Sequence, residues 1–293
     1  MIYLDNTTKP WVEKFQDPEL KAIREKIQDS FKDLVFEEGP HLYYYKGKRV
    51  PSVSRTVDMF VEPFPTEEKA QSCFEKYYDD PTSKYFKMTA EDIKNMWKKK
   101  NDNANDQGTW AHAFGENAMH YMVGDYDAID PVFRDRLVDG RFEARTGFEE
   151  AIVKFWNDMP DEYIPILVEN RVYALCGKET PVYAGTFDLL VYSTIPGKEG
   201  LIIFDYKTNE DLYKNFQDKK LLKPFDKMLD HPKNHYELQQ FFYEAALNEI
   251  GLEILGKRLV WIKPNGEYKI VKMREKFKPF LGIIIEKITR NCS

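Results

Sequence analysis

The sequence has few cysteines, no long apolar run and no surplus of positive charge. Cys73, Cys176 and Cys292 stand far apart with no CxxC spacing, which argues against a disulfide framework, a structural zinc site or a four-cysteine iron–sulfur cluster. No stretch approaches the roughly 18 apolar residues of a membrane span, and the opening MIYLDNTTKPWVEKF lacks a basic segment followed by an apolar one. The expectation is a cytoplasmic protein, in the host cytoplasm if the source is viral, with no membrane partner and no export signal. Lys and Arg number 43 against 49 Asp and Glu, a formal net charge of −6, which argues against indiscriminate adhesion to polyanions over the whole surface, so that nucleic-acid contact must use local patches. The 15 Gly and 16 Pro are scattered rather than gathered into a linker, and no internal repeat is found, which favours one continuous domain over 1–293.

What is present is material for a large core. Hydrophobic residues make up 42% and aromatics 15%, so disorder is excluded and a single elaborated α/β unit is expected. Leu20, Ile23, Ile27 and Phe31 recur at helical spacing and predict an amphipathic helix over 17–32. HLYYYKGKRVPSVS, aromatic and β-branched around a Lys-Gly-Lys turn, predicts a small hairpin. Residues 65–124 read as helical pieces broken at Pro81 and over 101–108, and 148–156 as a further amphipathic helix. The runs ILVENRVYAL, VYAGTFDLLVYS and LIIFDYKT, separated by turn chemistry, predict a three-stranded meander between 164 and 208. A helix over 235–250, a two-residue hairpin turn at Asn265-Gly266 and a terminal helix from about 275 complete the order. The expected partition is a helical and hairpin elaboration over 1–104, a core over 105–250, and a closing hairpin and helix over 251–293.

The chemistry-bearing residues fall on the meander. Asp205 and Lys207 are two apart on a strand and share a face, with Tyr206 on the other. The midpoint of Asp188 and Asp205 lies between Pro196 and Gly197, inside the loop, so a symmetric hairpin sets the two aspartates opposite each other. The midpoint of Glu169 and Asp188 lies between Lys178 and Glu179, in the preceding turn, so three carboxylates are expected to line up across three strands. Like charges placed directly opposite are destabilising. A divalent cation offsets them, and carboxylates with a backbone carbonyl suit Mg²⁺ or Mn²⁺. Lys207 then stands beside the metal, able to orient a water or to meet charge developing on a phosphate. Charges ending the apolar strand LIIF are costly unless they serve a site, although a bare DxK tripeptide is more often a solvated pair.

At these residues a family resemblance enters. GTFD followed by IIFDYKT resembles the D…(D/E)xK core of the PD-(D/E)xK nuclease superfamily. GTWAHAFGE resembles the GTxxHxxxE helix of RecB-type nucleases, and ELQQFFYEAAL their QxxxY helix. HLYYYKGKRVPSVSRTVD is similar to a segment of the mitochondrial genome maintenance exonuclease and of stand-alone phage exonucleases. The motifs stand in the family's order and cover about 105–250; the motif proline is absent, since Phe187 precedes Asp188. The resemblance implies a restriction-endonuclease-like core, a mixed sheet flanked by helices, with a helical N-terminal half. It also implies a metal-dependent DNA exonuclease acting in replication, recombination or repair.

By the same resemblance Asp188, Asp205, the carbonyl of Tyr206 and His112 bind metal, and Lys207 completes the catalytic set. His112 favours manganese over magnesium, and Glu116, one turn along, orients His112 or completes a second metal site. Gln239 and Tyr243, at i and i+4, position Lys207 or a substrate phosphate. Glu169 rests mainly on the turn arithmetic, as a group that supports the metal ligands or holds a second metal. Ser52, Ser54 and Arg55 are expected to hold a DNA phosphate, with Thr109 and Thr208 nearby, although Ser52 reads equally as the N-cap of a helix beginning near Val53. Lys98, Lys99 and Lys100, and Lys219, Lys220 and Lys223, are candidate phosphate tracks, with Trp97 or Phe225 for base stacking. The expected partner is DNA with single-stranded or duplex ends, and a single-strand-binding or recombination protein is a further candidate.

Competing readings fit less well. Gly177-Lys178-Glu179-Thr180 lacks the spacing of a phosphate-binding loop, and neither a GxSxG elbow nor a DTG-like turn is present. A non-catalytic DNA- or protein-binding member of the same fold, or a structure-specific endonuclease, is the alternative.

Overall fold

The computed structural model describes residues 2–216, 218–274 and 277–291, without the side chains of 278 and 291. The elements run β1 (Ile2–Leu4), α1 (Trp11–Lys14), α2 (Pro18–Phe31), β2 (Leu34–Glu37), β3 (Leu42–Tyr45), β4 (Lys48–Val50), α3 (Val53–Asp58), α4 (Thr66–Tyr77) and α5 (Ala90–Met122). They continue with β5 (Leu137–Val138), β6 (Arg141–Ala144), α6 (Gly147–Asp158), β7 (Tyr163–Ala174), β8 (Tyr183–Ser193), β9 (Gly200–Lys207), α7 (Pro232–Glu249), β10 (Ile254–Ile262), β11 (Tyr268–Lys272) and α8 (Leu281–Asn291). The chain is thus a mixed α/β protein, and no described helix is long and apolar enough to cross a membrane.

Contacts divide it into two units, Met1–Val61 with Ala111–Ser293, and Glu62–Trp110. In the smaller unit Lys94 pairs with Glu67 at 2.8 Å, and Trp97 donates its indole N–H to the Tyr85 hydroxyl at 3.1 Å while packing edge-on to Phe64. Trp97 is therefore engaged in packing.

In the larger unit the central sheet has five strands in the order β11-β10-β9-β8-β7. β7, β8, β9 and the β10–β11 pair run antiparallel, whereas β10 joins β9 in parallel after the crossover through α7. α7, α3 and α2 pack on strands of this sheet, and α6 packs on β10 and β11. Two three-stranded sheets, β1-β6-β5 and β2-β3-β4, complete it. β8 and β9 are buried along almost their whole length, as strands covered on both faces must be.

Helix ends fall where side chains can cap them. Asp17 accepts from Glu19 and Leu20 N–H at the start of α2, with Pro18 at the first position. At α6, Thr146 and Glu149 form a reciprocal capping box, and Glu149 also grips the buried Arg136 guanidinium through two bonds of 3.0 and 2.9 Å.

Three expectations need correction. The break over 101–108 is absent, because α5 runs unbroken from Ala90 to Met122. Its Asn, Asp and Gly residues there are exposed or half-exposed, none of them buried, and each costs a helix only about 0.5–1 kcal/mol. The β10–β11 connection is not a two-residue turn: Gly266 N–H bonds to Lys263 C=O at 3.2 Å, which places Pro264 and Asn265 at the centre and Gly266 beyond them at φ +79°. Proline's fixed φ suits the second position of such a turn. Phe225 is buried among Phe60, Phe277 and Phe280, so it cannot stack on a base. A helix start at 275 lies outside the described residues.

Candidate metal centre

The sheet register brings the three carboxylates into line. The β7–β8 pairs Val168↔Leu189 and Asn170↔Phe187 set Glu169 opposite Asp188. The β8–β9 ladder ends at Leu189↔Phe204, and one further residue in that register sets Asp188 opposite Asp205. The midpoint of Glu169 and Asp188 therefore matches the observed pairing, and that of Asp188 and Asp205 keeps the register of a ladder whose last pair is Leu189↔Phe204. Glu169 holds φ +45° in mid-strand, a conformation that costs a residue bearing a Cβ roughly 1–3 kcal/mol and that gathers at functional sites.

α5 carries His112 to the acids. His112 Nδ1 lies 3.2 Å from Asp188 Oδ2, and the ligand atoms of His112, Glu169 and Asp188 all lie within 4.8 Å of one another. Gly115 makes the approach of α5 possible: a Cβ there would stand 2.6 Å from the ring of Tyr206. Tyr206 packs edge-on to His112 and to Phe155 of α6, while its N–H donates to Asp188 Oδ2 at 2.6 Å. Lys207 faces α7 instead, with Nζ 2.5 Å from Asp205 Oδ2 and 4.8 Å from the centre of the Tyr236 ring. The alternation predicted for Asp205, Tyr206 and Lys207 is thus observed.

Charge and burial conflict in this cluster. Burial, then Asp188, push the Glu169 carboxyl up to about 8, against the pull of His112. Burial and Asp188 likewise push Asp205 up to about 6, although Lys207 pulls it down. Burial would raise Asp188 too, but His112, Lys207 and the Tyr206 N–H outweigh it and hold the carboxyl below its usual value. Burial works against the charged form of His112 and Lys207 as well. Asp188 overcomes it for His112, and Asp205 with Asp188 for Lys207, so both pKa values rise. Lys207 is therefore an ammonium at neutral pH.

These residues fit a divalent cation. Asp205 is 1% exposed, and its Oδ1 finds no hydrogen-bond partner among the described residues, a state that buried carboxylate oxygens rarely tolerate. Carboxylate oxygens suit Mg²⁺ and Mn²⁺, and the imidazole favours Mn²⁺ of the two. The compact group is His112, Glu169 and Asp188, so Glu169 joins the candidate ligands. Asp205 stands beside it across the β8–β9 pair. Glu116 acts on Glu169 through charge but stands outside the group of His112, Glu169 and Asp188.

The other expected residues distribute as follows. Gln239 donates to the Tyr243 hydroxyl at 2.8 Å, and Tyr243 is buried, its phenol held well above the usual pKa by burial and then by Asp205. Tyr236, one turn before Gln239, touches Lys207 instead, and its hydroxyl donates to Asn209 at 2.7 Å. Tyr236 and Asn209 escaped the sequence reading. The one available signal was the spacing of Tyr236 and Gln239, at i and i+3 of a single helix. Ser52 caps α3, accepting from Arg55 N–H at 3.1 Å, while Ser54 and Arg55 are exposed. Thr208 is half-buried directly after Lys207. Thr109, Lys98, Lys99 and Lys100 are exposed on the part of α5 within the 62–110 unit, where Lys98 pairs with Asp102 at 2.7 Å.

No protein-family model matches the chain, and a search of curated proteins finds no match.

Proposed function

We propose that the protein is a Mg²⁺- or Mn²⁺-dependent deoxyribonuclease of the PD-(D/E)xK kind, acting as an exonuclease on DNA ends. The observation that carries this reading is the register of β7, β8 and β9, which stacks Glu169, Asp188 and Asp205 beside His112 and the Lys207 ammonium. A structural ion pair needs no third carboxylate, and it needs no residue strained to φ +45°. The resemblance of the four sequence motifs supports the same choice.

His112, Glu169 and Asp188, with Asp205 adjacent, would hold the cation, which supplies Lewis-acid stabilisation of a phosphodiester and lowers the pKa of water. The protein's own residues do the rest. Lys207, kept protonated by Asp205 and Asp188, donates toward charge developing on the scissile phosphate and does not act as the base. Asp188 is fixed by the Tyr206 N–H, so it meets a cation without rearranging. Tyr236 underlies the ammonium and limits where it can point.

Incubation of end-labelled linear DNA and of covalently closed circular DNA, each with EDTA, Mg²⁺ or Mn²⁺, tests the proposal. Label release from linear DNA with either metal, none with EDTA, and intact circles are expected. Cleavage of the circles shifts the assignment to an endonuclease, and inertness toward every substrate with both metals defeats the enzymatic reading. Within this activity Tyr236→Leu should lower kcat about tenfold, since a desolvated cation–π contact is worth about 1–2 kcal/mol and 1.36 kcal/mol corresponds to tenfold. Tyr236→Phe, which keeps the ring, should stay within about threefold. Equal losses in the two variants would show that the ring is not what positions Lys207.

A further inference from the structure

We propose that the cavity bounded by the β3–β4 hairpin, the β7–β8 turn and α8 seats a nucleotide of the DNA strand being cut, at a distance from the metal centre. This extends the nuclease reading and rests on it. The cavity has a volume of about 700 Å³, within the roughly 300–1,000 Å³ of ligand pockets. Lys48, Arg49, Arg55 and Lys178 line it, and no carboxylate does. None of the four makes an ion pair among the described residues, whereas Lys9, Lys87, Lys94 and Lys98 are each paired with an acid. In a chain of net charge −6, an acid-free ring of unpaired cations is a local attractor for phosphate. Leu42, Met59, Val182 and Ile288 supply apolar lining. The combination of cationic and apolar lining matches a phosphate attached to a base better than it matches a free inorganic anion.

The cavity wall is tied to the strand that bears the site. Ala184 N–H donates to Pro51 C=O at 2.9 Å, Ser52 bridges to Ala184, and the Tyr43 hydroxyl lies 2.9 Å from Thr186 Oγ1. From Ala184 to Asp188 is four residues of β8, about 13 Å at roughly 3.3 Å each. Phosphates follow one another at about 3.4 Å of axial rise along a strand of duplex, so about four nucleotides span that distance. One strand can thus lie on the metal centre and reach the cavity.

The test uses the full chain with Lys48→Ala, Arg49→Ala and Lys178→Ala combined, and Lys178→Glu alone as a second variant in an exposed turn. Ser52 and Arg55 are left in place so that the α3 cap survives. Binding of a fluorescein-labelled single-stranded oligodeoxynucleotide is followed by anisotropy in EDTA, where no cleavage occurs, between about 50 and 200 mM salt. Expected are a melting temperature close to that of the parent protein, at least tenfold weaker binding at the low-salt end, and a log–log salt slope shallower by about 2, from about 0.7 per lost phosphate contact. Lys178→Glu should move both quantities in the same direction. Parental affinity and slope in both variants overturn the proposal. Because binding is read without hydrolysis, the two readings fail separately: DNA held through these cations by a protein that cleaves nothing removes the nuclease assignment alone, and cleavage with unaltered binding in the variants removes the cavity alone.

Discussion

Lys207→Met is expected to lose at least about 10²–10³ in kcat, the scale on which removal of one preorganised donor to a developing charge is felt, while the protein continues to bind its cation. The ammonium lies 2.5 Å from Asp205 and over the ring of Tyr236, and it is 11% exposed. Its position is fixed and dry, which is where a donor acts most strongly. It is also a positive charge beside the metal ligands, so its removal takes away a repulsion against a divalent ion. The thermal stabilisation given by Mn²⁺ should accordingly match or exceed that of the parent protein. Loss of turnover with the metal response intact separates Lys207 from the ligands, whose replacement, as in Asp188→Asn, should abolish both. If Lys207→Met turns over within about threefold of the parent at saturating Mn²⁺, the role given to the ammonium is wrong.

The parts of this site legible in the sequence were those governed by local geometry. In an antiparallel hairpin the turn fixes the register, so halving the separation of Glu169 and Asp188 was enough to set them opposite each other, and halving that of Asp188 and Asp205 gave the register of the β8–β9 ladder, whose last pair is one residue short of them. Period-2 alternation likewise assigned Tyr206 and Lys207 to opposite faces. Relations that depend on distant segments carried no such signal. The parallel pairing of β10 with β9 arises through the α7 crossover, and nothing in KRLVWIKPNG marks its neighbour. Tyr236 reaches Lys207 only because α7 packs against the sheet. Phe225 looked available because it sits in a lysine-rich loop, yet Phe60 and Phe277 enclose it. Polar composition also misled at 101–108, where exposure lets a long helix absorb poor helix formers.

Metal-free protein should lose stability as the pH rises from about 5 to 8, and a divalent cation should restore more of it at pH 8 than at pH 6. In the unfolded chain Glu169 titrates near 4.5, but in the folded chain it is pushed up to about 8. Between these values the folded state holds a proton that the unfolded state has released, and stability falls with rising pH wherever the folded state binds more protons. Asp205, raised from 3.8 to about 6, adds the same sign in the lower part of the window. His112, whose pKa is raised from 6.5, contributes stability below 6.5 that is lost as the pH passes its folded value. Asp188 has the opposite sign, but its lowered pKa confines its effect to acid below 3.8. A cation at about 100 times its Kd contributes about 2.7 kcal/mol, or about 5–10 °C at roughly 2–4 °C per kcal/mol. Glu169→Gln removes the charge that burial opposes, so it should raise the metal-free melting temperature at pH 8, flatten its decline with pH and shrink the Mn²⁺-induced rise. Melting curves of both proteins at pH 6 and 8, with EDTA or Mn²⁺, read all three quantities. A parent protein whose metal-free melting temperature is no lower at pH 8 than at pH 6, with a Mn²⁺ response that Glu169→Gln leaves untouched, would mean that Glu169 is not a ligand and that the strain at its backbone serves some other contact.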